Sequence, residues 1–183
     1  MRLRDMDIIR KEINTCNIDL HPAAEKYAQD IFDIIITHKK YLAMFLDWVN
    51  NINNINEILS FLSKSKSDFG KKSNIYIIEF KNKIVGVISL NSIDKHKREA
   101  DIGYWISPDY EGLGIISKSL QTMIDKHSHE IKKFILKCAV FNTRSNMVAL
   151  RNGFSYDCII HKGEIINGVY HDQNQYYKCS SLK

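Results

Sequence analysis

One stretch of the chain, YWISPDYEGLGIISKSL, constrains the fold more than any other. It begins with residues typical of a strand, is interrupted by Pro108, and passes through Gly112 and Gly114 into apolar residues at helical spacing. The first amides of a helix have no partners within the helix, and the helix dipole favours negative charge beside them. The stretch therefore predicts an anion-binding turn, although an ordinary tight turn explains the two glycines equally well.

Known phosphate-binding patterns exclude two kinds of anion site. No lysine follows Gly114, so the residue that a Walker motif places on the phosphates is missing, and hydrolysis of a nucleoside triphosphate is not expected. The dinucleotide-binding pattern is incomplete, and the strands before the turn form a hairpin pattern rather than a strand–helix–strand unit. The turn must therefore be interpreted from the order of the elements around it.

The composition indicates an ordinary globular protein. The chain has 183 residues, 44% hydrophobic and 26% charged, which suits one domain over residues 1–183. No apolar run approaches a membrane span, and the N-terminus has no signal-peptide pattern. The net charge of +5 fits a lysine-rich surface or attraction to an acidic partner, and no basic stripe indicates nucleic acid. The scattered histidines suggest no metal, and the cysteines are expected to be reduced thiols in a cytoplasmic protein: Cys16, Cys138, Cys158 and Cys179.

The first half of the chain is mainly helical by pattern. Part of residues 8–20 is expected to be a strand, after which Pro22 opens a helix, because proline suits a first helical turn. The segment KKYLAMFLDW predicts a second helix, and the apolar residues from Ile55 to Leu62 predict a third. The polar run from Ser63 to Ser73 is predicted to be a loop.

The second half reads mainly as strands. SNIYIIEF and IVGVISLNSI predict a hairpin, ADIGYWIS a third strand, and FILKCAV a buried strand after the helix that follows Gly114. A short helix from Ser145 to Arg151 is expected to end at Asn152-Gly153. Asn167-Gly168 predicts a hairpin between two final strands. The sum is an α/β domain with a mostly antiparallel sheet and one helix crossing from strand to strand.

This order of elements, together with EGLGII at residues 111–116, resembles the GNAT superfamily of acetyl-CoA-dependent N-acetyltransferases. IGYW, GIIS, KCAVFNTRSN, NGVYHD and FLDW resemble its ribosomal-protein-serine N-acetyltransferase branch. The resemblance covers the chain from about Leu20 onward and implies the GNAT fold, a mixed, mostly antiparallel twisted sheet of six to seven strands flanked by helices. It also implies acetyl-CoA as the acetyl donor, the N-terminus of the acidic ribosomal stalk protein as acceptor, and a possible homodimer.

The resemblance also implies a donor site. The pyrophosphate motif of the family, Gln/Arg-x-x-Gly-x-Gly/Ala, corresponds here to Glu111, Gly112, Leu113, Gly114, Ile115 and Ile116. Glu111 replaces a Gln or Arg and Ile116 replaces a small residue, but the groups that hold pyrophosphate are backbone amides. Three further positions match contacts of the pantetheine arm: the backbone of Ile106 and the side chains of Asn142 and, more weakly, Asn146. Cys138 is expected beside the thiol without acting as a nucleophile.

The catalytic residues follow from the same resemblance. The tyrosine that many members use as an acid is replaced by Ala149. In the resembling branch a serine and a glutamate take over, and Ser145 and Glu164 match them. Ser145 would stabilise the leaving thiolate, or it could instead be the N-cap of its helix. Glu164 would be the base for the amine, or it could be a solvated charge at a strand end. His171 and Asp172 are neighbours on a strand, point to opposite faces, and are not expected to form a catalytic pair.

Chemistry favours an α-amine as the acceptor. A free α-amino group titrates near ~7.7–8.0 and a lysine near ~10.4, so roughly one α-amine in ten is neutral at pH 7. One modest base therefore suffices for a protein N-terminus. Two alternatives remain open on the sequence: a small amine such as a polyamine or aminoglycoside, and a CoA-binding module without catalysis.

Overall fold

The computed structural model describes residues 18–180, which form a seven-stranded sheet with helices on both faces. The strand order is β1-β2-β3-β4-β5-β7-β6. The strands are β1 Ile18–Pro22, β2 Asn74–Phe80, β3 Lys83–Asp94, β4 Glu99–Ile106, β5 Lys133–Ala139, β6 Ser155–Ile166 and β7 Val169–Cys179. The α-helices, numbered in chain order, are α1 Ala28–Thr37, α2 Lys39–Leu42, α3 Ile55–Asp68, α4 Ile115–His127 and α5 Thr143–Arg151. Single 3₁₀ turns occupy Glu25–Tyr27, Asp47–Asn51 and Pro108–Tyr110.

The sheet is antiparallel except where β4 pairs with β5. These two strands are parallel and are joined by α4, as the sequence predicted for one crossover helix. Their pairing extends only from Glu99 opposite Lys133 to Ile102 opposite Leu136. Beyond that point β4 runs on to Ile106 and β5 to Ala139 without pairing to each other, so a cleft opens between them.

Two apolar cores lie on opposite faces of the sheet. In β2, Tyr76 and Ile78 belong to the core under α4, whereas Ile75 and Ile77 belong to the core under α1 and α3. Successive side chains of a strand point to opposite faces, so a strand covered on both sides must be apolar throughout. This explains why NIYIIEF reads as a continuous apolar run.

The prediction that Pro22 opens a helix is wrong. Pro22 is the last residue of the edge strand β1, opposite Tyr76, and the first α-helix begins only at Ala28. Proline has no amide hydrogen to donate, and the end of an edge strand is one of the few sheet positions that tolerate this loss. Of the predicted strand within residues 8–20, Ile18 to Leu20 belong to β1, and residues 8–17 lie outside the described part of the chain.

The predicted loop from Ser63 to Ser73 is wrong over its first half. The third helix continues to Asp68, with Ser65 buried and its hydroxyl donating to the carbonyl of Phe61 at 2.7 Å. The helix starts with a capping box in which Asn54 and Glu57 exchange side-chain and backbone hydrogen bonds. Polar residues therefore continue this helix on its exposed face. The segment KKYLAMFLDW is helical only over α2 and then passes into turns.

The hairpins and the short helix agree with the sequence patterns. Asn167 and Gly168, at the β6–β7 turn, both have positive φ, 52° and 76°, as a two-residue hairpin of this type requires. The helix α5 ends before Gly153, whose φ is 74°. Within residues 18–180, no helix is both long and apolar enough to cross a membrane.

Candidate active site

The cleft between the separated ends of β4 and β5 has a volume of about 1520 Å³. Its walls come from the last six residues of β4, the turn after Pro108, the first turn of α4, the end of β5 and the exposed face of α5. One end is closed by residues that follow α2 and by β6 and β7. Almost all of the residues that the sequence singled out line this cleft: Ile106, Glu111, Gly112, Leu113, Gly114, Ile115, Ile116, Cys138, Asn142, Ser145 and Glu164.

The glycine turn is built for backbone contact with a ligand. Gly112 and Gly114 have φ of 75° and 84°, and Gly114 is the N-cap of α4 in the left-handed conformation. Such φ values favour glycine. A Cβ at either glycine would meet no atom within 4 Å, so the space above the turn is open. Ile115 and Ile116 turn their side chains into the core, which leaves the first amides of the helix facing this space. The residues present therefore fit a pyrophosphate-bearing donor.

A line of hydroxyl and thiol groups crosses the middle of the cleft. The hydroxyls of Tyr104 and Ser145 are 2.8 Å apart, and Ser145 lies close enough to the thiol of Cys138 to lower its pKa in part. Burial raises the pKa of Tyr104 well above its usual value, and burial raises the pKa of Cys138 to about 11. Both groups therefore stay protonated at neutral pH. A thiol that stays protonated is a poor nucleophile, which argues against attack by Cys138.

Ser145 is not the N-cap of its helix. Asn142 holds that position, and its side-chain oxygen accepts a hydrogen bond from the amide of Ser145 at 3.1 Å. The alternative reading of Ser145 as the helix cap is therefore wrong, and its hydroxyl is available to the cleft. The amide oxygen of Asn142 accepts one hydrogen bond in the cap, and its NH₂ group is available to donate into the cleft.

Glu164 is half-buried at the closed end of the cleft. Burial raises the pKa of this carboxyl group, a hydrogen bond from Gln173 at 3.0 Å lowers it in part, and the charge of Asp47 raises it. A bulge between Ile160 and Glu164 in the β6–β7 pairing directs the side chain to the cleft. The interpretation of Glu164 as a solvated strand-end charge is thus not supported, because the side chain is half-buried in the cleft and accepts a hydrogen bond from Gln173.

Asp172 supports the bulge that positions Glu164. Its carboxylate accepts from the amide of Lys162 at 2.9 Å and lies 2.9 Å from Nδ1 of His161. His171 instead packs against Phe141, with ring centroids 4.8 Å apart. The two adjacent side chains therefore have separate partners, as expected for neighbours on a strand.

Asn146 does not face the cleft. It is buried, its amide nitrogen donates to the carbonyls of Ala139 and Asn142, and its oxygen accepts from Asn174 and from the hydroxyl of Tyr176. A side chain with these bonds ties α5 to β5 and β7. The weak prediction that Asn146 contacts the donor is therefore corrected to a structural role.

Glu111 lies in the glycine turn, but its carboxylate is bonded elsewhere. It forms an ion pair with Arg144 on α5 and accepts hydrogen bonds from the hydroxyl of Tyr41 at 2.8 and 3.0 Å. Burial and the carboxylate raise the pKa of Tyr41, which keeps its hydroxyl a donor. The sequence analysis missed Tyr41, Tyr104 and Arg144, since contacts over 70, 41 and 33 residues leave no local pattern.

Comparison with known proteins identifies the class to which this fold and cleft belong. The family model for the acetyltransferase (GNAT) domain matches residues 17–155. Ribosomal-protein-serine acetyltransferase of Escherichia coli (strain K12) is 31% identical over 163 residues, covering 87% of this chain and 91% of that protein. Two solved structures have TM-scores of 0.86 to this one. Microcin C7 self-immunity acetyltransferase MccE, in complex with acetyl-CoA and AMP, is 37% identical and covers 88% of this chain and 92% of its own. RimL, the ribosomal L7/L12 α-N-protein acetyltransferase, in complex with coenzyme A, is 30% identical, and the match covers 88% of this chain and 93% of the RimL chain.

The chain belongs to the GNAT acetyltransferase family. It is an acetyl-CoA-dependent N-acetyltransferase, so the alternative of a module without catalysis is not retained. The open space above the glycine turn and the first amides of α4 fit a pyrophosphate group, as the donor of this family carries.

Proposed function

We propose that the acceptor is an α-amine, and specifically the N-terminus of an acidic protein such as the ribosomal stalk protein. The observation that carries this proposal is Glu164, a half-buried carboxyl with a raised pKa at the closed end of the cleft. We call this the acceptor end, because the amine would approach the reacting carbonyl from there. A base of this kind is matched to an α-amine, which needs little help to lose its proton. The E. coli relative that acts on a ribosomal protein and RimL, with its L7/L12 substrate, support the choice of partner.

In the proposed mechanism, acetyl-CoA supplies the acetyl group as a thioester. Glu164 takes one proton from the acceptor's ammonium group, and the neutral nitrogen forms a bond to the carbonyl carbon while the carbon–sulfur bond breaks. The hydroxyl of Ser145 delivers a proton to the leaving sulfur and recovers one from the nitrogen, so atoms and charge balance. Tyr104 donates to Ser145 and fixes the direction of its hydroxyl, with their oxygens 2.8 Å apart.

The donor site in this proposal uses the glycine turn for the pyrophosphate and the cleft walls for the pantetheine arm. Backbone amides at Gly112 to Ile116 would hold the phosphates, and Ile106 and Asn142 would contact the arm. Cys138 would lie beside the sulfur. We also propose that residues 1–183 form one domain that acts in the cytoplasm, where the free thiols of Cys138, Cys158 and Cys179 would stay reduced.

A homodimer is a further part of this proposal. The hairpin of β6 and β7 exposes large apolar side chains that a second copy could cover: Tyr156, Ile159, Ile165, Val169 and Tyr170. Light scattering during size-exclusion chromatography measures the mass directly. A mass twice 21.3 kDa is expected, and a mass of 21.3 kDa at all concentrations would rule the dimer out.

The test of the acceptor is acetyl transfer from labelled acetyl-CoA to a stalk-protein N-terminal peptide, spermidine and an aminoglycoside, assayed side by side. We expect transfer to the peptide, and transfer to a small amine alone would overturn the acceptor assignment. Glu164→Gln is expected to lower kcat by about 100-fold, the scale of general base catalysis. Asp157→Asn, on the same strand and outside the cleft, is the matched control and should keep wild-type activity.

A second acceptor is suggested by one specific observation. Trp48 and Trp105 line the acceptor end with ring centroids 6.3 Å apart, and Phe45 lies beside them in the cleft wall. Aromatic side chains of this kind stack on nucleobases, and the MccE structure contains AMP. An α-amine attached to a nucleoside monophosphate is therefore the alternative acceptor. Competitive inhibition of peptide acetylation by AMP, lost in Trp48→Ala, would favour it over the protein N-terminus.

A further inference from the structure

The glycine turn contains an acidic residue at a position where a negative charge is unexpected. A Gln or Arg is usual at the position of Glu111, and a carboxylate there should repel the pyrophosphate of the donor. In the structure this carboxylate is engaged by two groups, the guanidinium of Arg144 and the hydroxyl of Tyr41. Arg144 also donates to the same hydroxyl, so the three groups contact one another pairwise.

These three residues belong to different walls of the cleft. Glu111 lies in the turn after β4, Arg144 in the first turn of α5, which follows β5, and Tyr41 on α2. All three line the cleft, and β4 and β5 have already stopped pairing with each other before they reach this level. The ion pair of Glu111 and Arg144 therefore bridges the opening between the separated strands.

An aromatic contact bridges the same opening. Phe45, which follows α2, packs edge-on against Tyr41 at 5.7 Å and stacks on Phe141, which follows β5, at 6.0 Å. The segment that carries Tyr41 and Phe45 is fixed from its other side, because Asn167 in the β6–β7 turn bonds to Asp47 and to the carbonyl of Ala43. Tyr41 thus holds the carboxylate of Glu111 from a supported position.

Stability alone does not account for this ion pair. The side chain of Arg144 is 70% exposed, and exposed ion pairs contribute little to folding. An ion pair that closes a cleft can instead slow the release of a molecule bound beneath it, because that molecule can leave only after the pair separates.

We propose that Glu111 and Arg144 form a clasp that closes over the pantetheine arm of the donor and slows its dissociation, with Tyr41 as the positioning residue for the carboxylate. The inference rests on the proposed donor site in the same cleft. The clasp must open for the donor to enter and re-form behind it. Its effect falls on the dissociation rate of CoA and on no step of the acetyl transfer itself.

The variant Glu111→Gln distinguishes a clasp from simple repulsion between the carboxylate and the pyrophosphate. The two predict opposite changes in the dissociation of CoA. Without a clasp, removal of a negative charge near the pyrophosphate would tighten CoA binding. With the clasp, the dissociation rate measured by stopped-flow displacement of CoA is expected to rise about tenfold, and the association rate should not fall, because the clasp must also open for entry. Equal or slower dissociation of CoA from Glu111→Gln would overturn the clasp.

A double-variant comparison tests whether the two residues act as one unit. Arg144→Gln is expected to raise the dissociation rate as Glu111→Gln does, and the double variant should be no faster than either single variant. Effects that multiply in the double variant would show two independent contacts and contradict the clasp. Glu99→Gln is the matched control, because Glu99 pairs with Lys133 between the same two strands at 3.7 Å but outside the cleft lining.

A fragment of the donor locates the effect along its length. Adenosine 3′-phosphate 5′-diphosphate has both phosphates of the CoA pyrophosphate but no pantetheine arm, so its affinity should be the same in the wild type and in Glu111→Gln. An equal change for the fragment and for CoA would place the effect on the phosphates and refute the clasp. Gly114→Trp, checked for folding by circular dichroism, tests the donor site separately. Wild-type CoA affinity in that variant would reject the site itself, whereas lost affinity with unchanged dissociation from Glu111→Gln would reject only the clasp.

Discussion

The protonation of Glu164 is set by a few neighbours whose contributions can be separated. Burial raises the pKa of this carboxyl, and the hydrogen bond from Gln173 opposes the shift. Loss of that bond in Gln173→Ala should raise the pKa further. A base acts only when it is deprotonated, so the acidic limb of kcat/KM should move to higher pH while the rate at high pH stays the same.

The control for that experiment lies two residues along the same strand. Gln175 donates to Asp157 at 2.7 Å outside the cleft, and Gln175→Ala should leave the pH profile of kcat/KM unchanged. If Gln173→Ala also leaves the acidic limb in place, Glu164 is not the group that the limb reports.

Tyr104 offers a test of the thiolate side of the reaction. Tyr104→Phe removes the hydroxyl that hydrogen-bonds Ser145 and should lower kcat about tenfold, with little change in KM for acetyl-CoA, since one hydrogen bond is worth about 1–1.5 kcal/mol. Because the two hydroxyls act together, Tyr104→Phe combined with Ser145→Ala should be no slower than Ser145→Ala alone. Tyr156→Phe, on an exposed tyrosine outside the cleft, is the control. A multiplicative loss in the double variant would mean that Tyr104 does not act through Ser145.

The sequence predicted the residues of the site better than the contacts among them. Gly112, Gly114 and Glu164 could be found because a turn motif and a family resemblance mark single positions. The pairing of Tyr104 with Ser145 depends on where β4 stops following β5, which no local pattern encodes. The same is true of the neutralisation of Glu111, which requires a helix and a turn that are far apart in the chain.

At the scale of elements, the sequence succeeded wherever one periodicity dominated. The strands β2 to β4 and the helix α4 have strong apolar patterns, and the structure confirms them. The errors occur where a polar segment was predicted to be a loop, as from Ser63 to Asp68, and where a proline was predicted to begin a helix. A polar run can be a loop or the exposed face of a helix, and a proline can begin a helix or end an edge strand. Packing against the sheet decides which structure forms.

Gly86 connects one element to the site. It lies on β3 opposite Ile106, and a Cβ there would be 2.3 Å from the carbonyl oxygen of Trp105. Gly86→Ala should therefore displace the end of β4, cost about 1–3 kcal/mol of the free energy of unfolding, and weaken CoA binding through the backbone of Ile106. Denaturant unfolding and calorimetric titration with CoA measure the two effects.

The matched control destabilises an element that is remote from the cleft. Asn54→Ala removes the N-cap of α3 and should cost about 1 kcal/mol of the free energy of unfolding without altering CoA affinity. If Gly86→Ala lost stability alone, with normal CoA affinity, the backbone at Ile106 would have no part in donor binding.

At the scale of the whole molecule, the cleft is the place where the sheet is weakest. The parallel pair of β4 and β5 joins the two halves of the sheet through only four residue pairs, from Glu99–Lys133 to Ile102–Leu136. The two apolar cores cover opposite faces of the sheet. Because β4 and β5 separate, these two neighbouring strands are not hydrogen-bonded to each other at one end of the sheet. A donor bound across this gap would contact both halves at once.

Donor binding should therefore stabilise the whole fold. A ligand that binds only the folded state adds about 2.7 kcal/mol at a concentration 100 times its Kd. For a chain of this size each kcal/mol raises Tm by about 2–4 °C, so acetyl-CoA at that concentration should raise Tm by roughly 5–11 °C in scanning calorimetry. Gly114→Trp should melt at the same temperature with and without acetyl-CoA, because the indole would occupy the open space above the glycine turn. Glu111→Gln should keep at least about half of the shift, because a tenfold higher Kd lowers the stabilisation only by the logarithm of that factor. A full shift in Gly114→Trp would mean that acetyl-CoA stabilises the protein from somewhere other than this cleft.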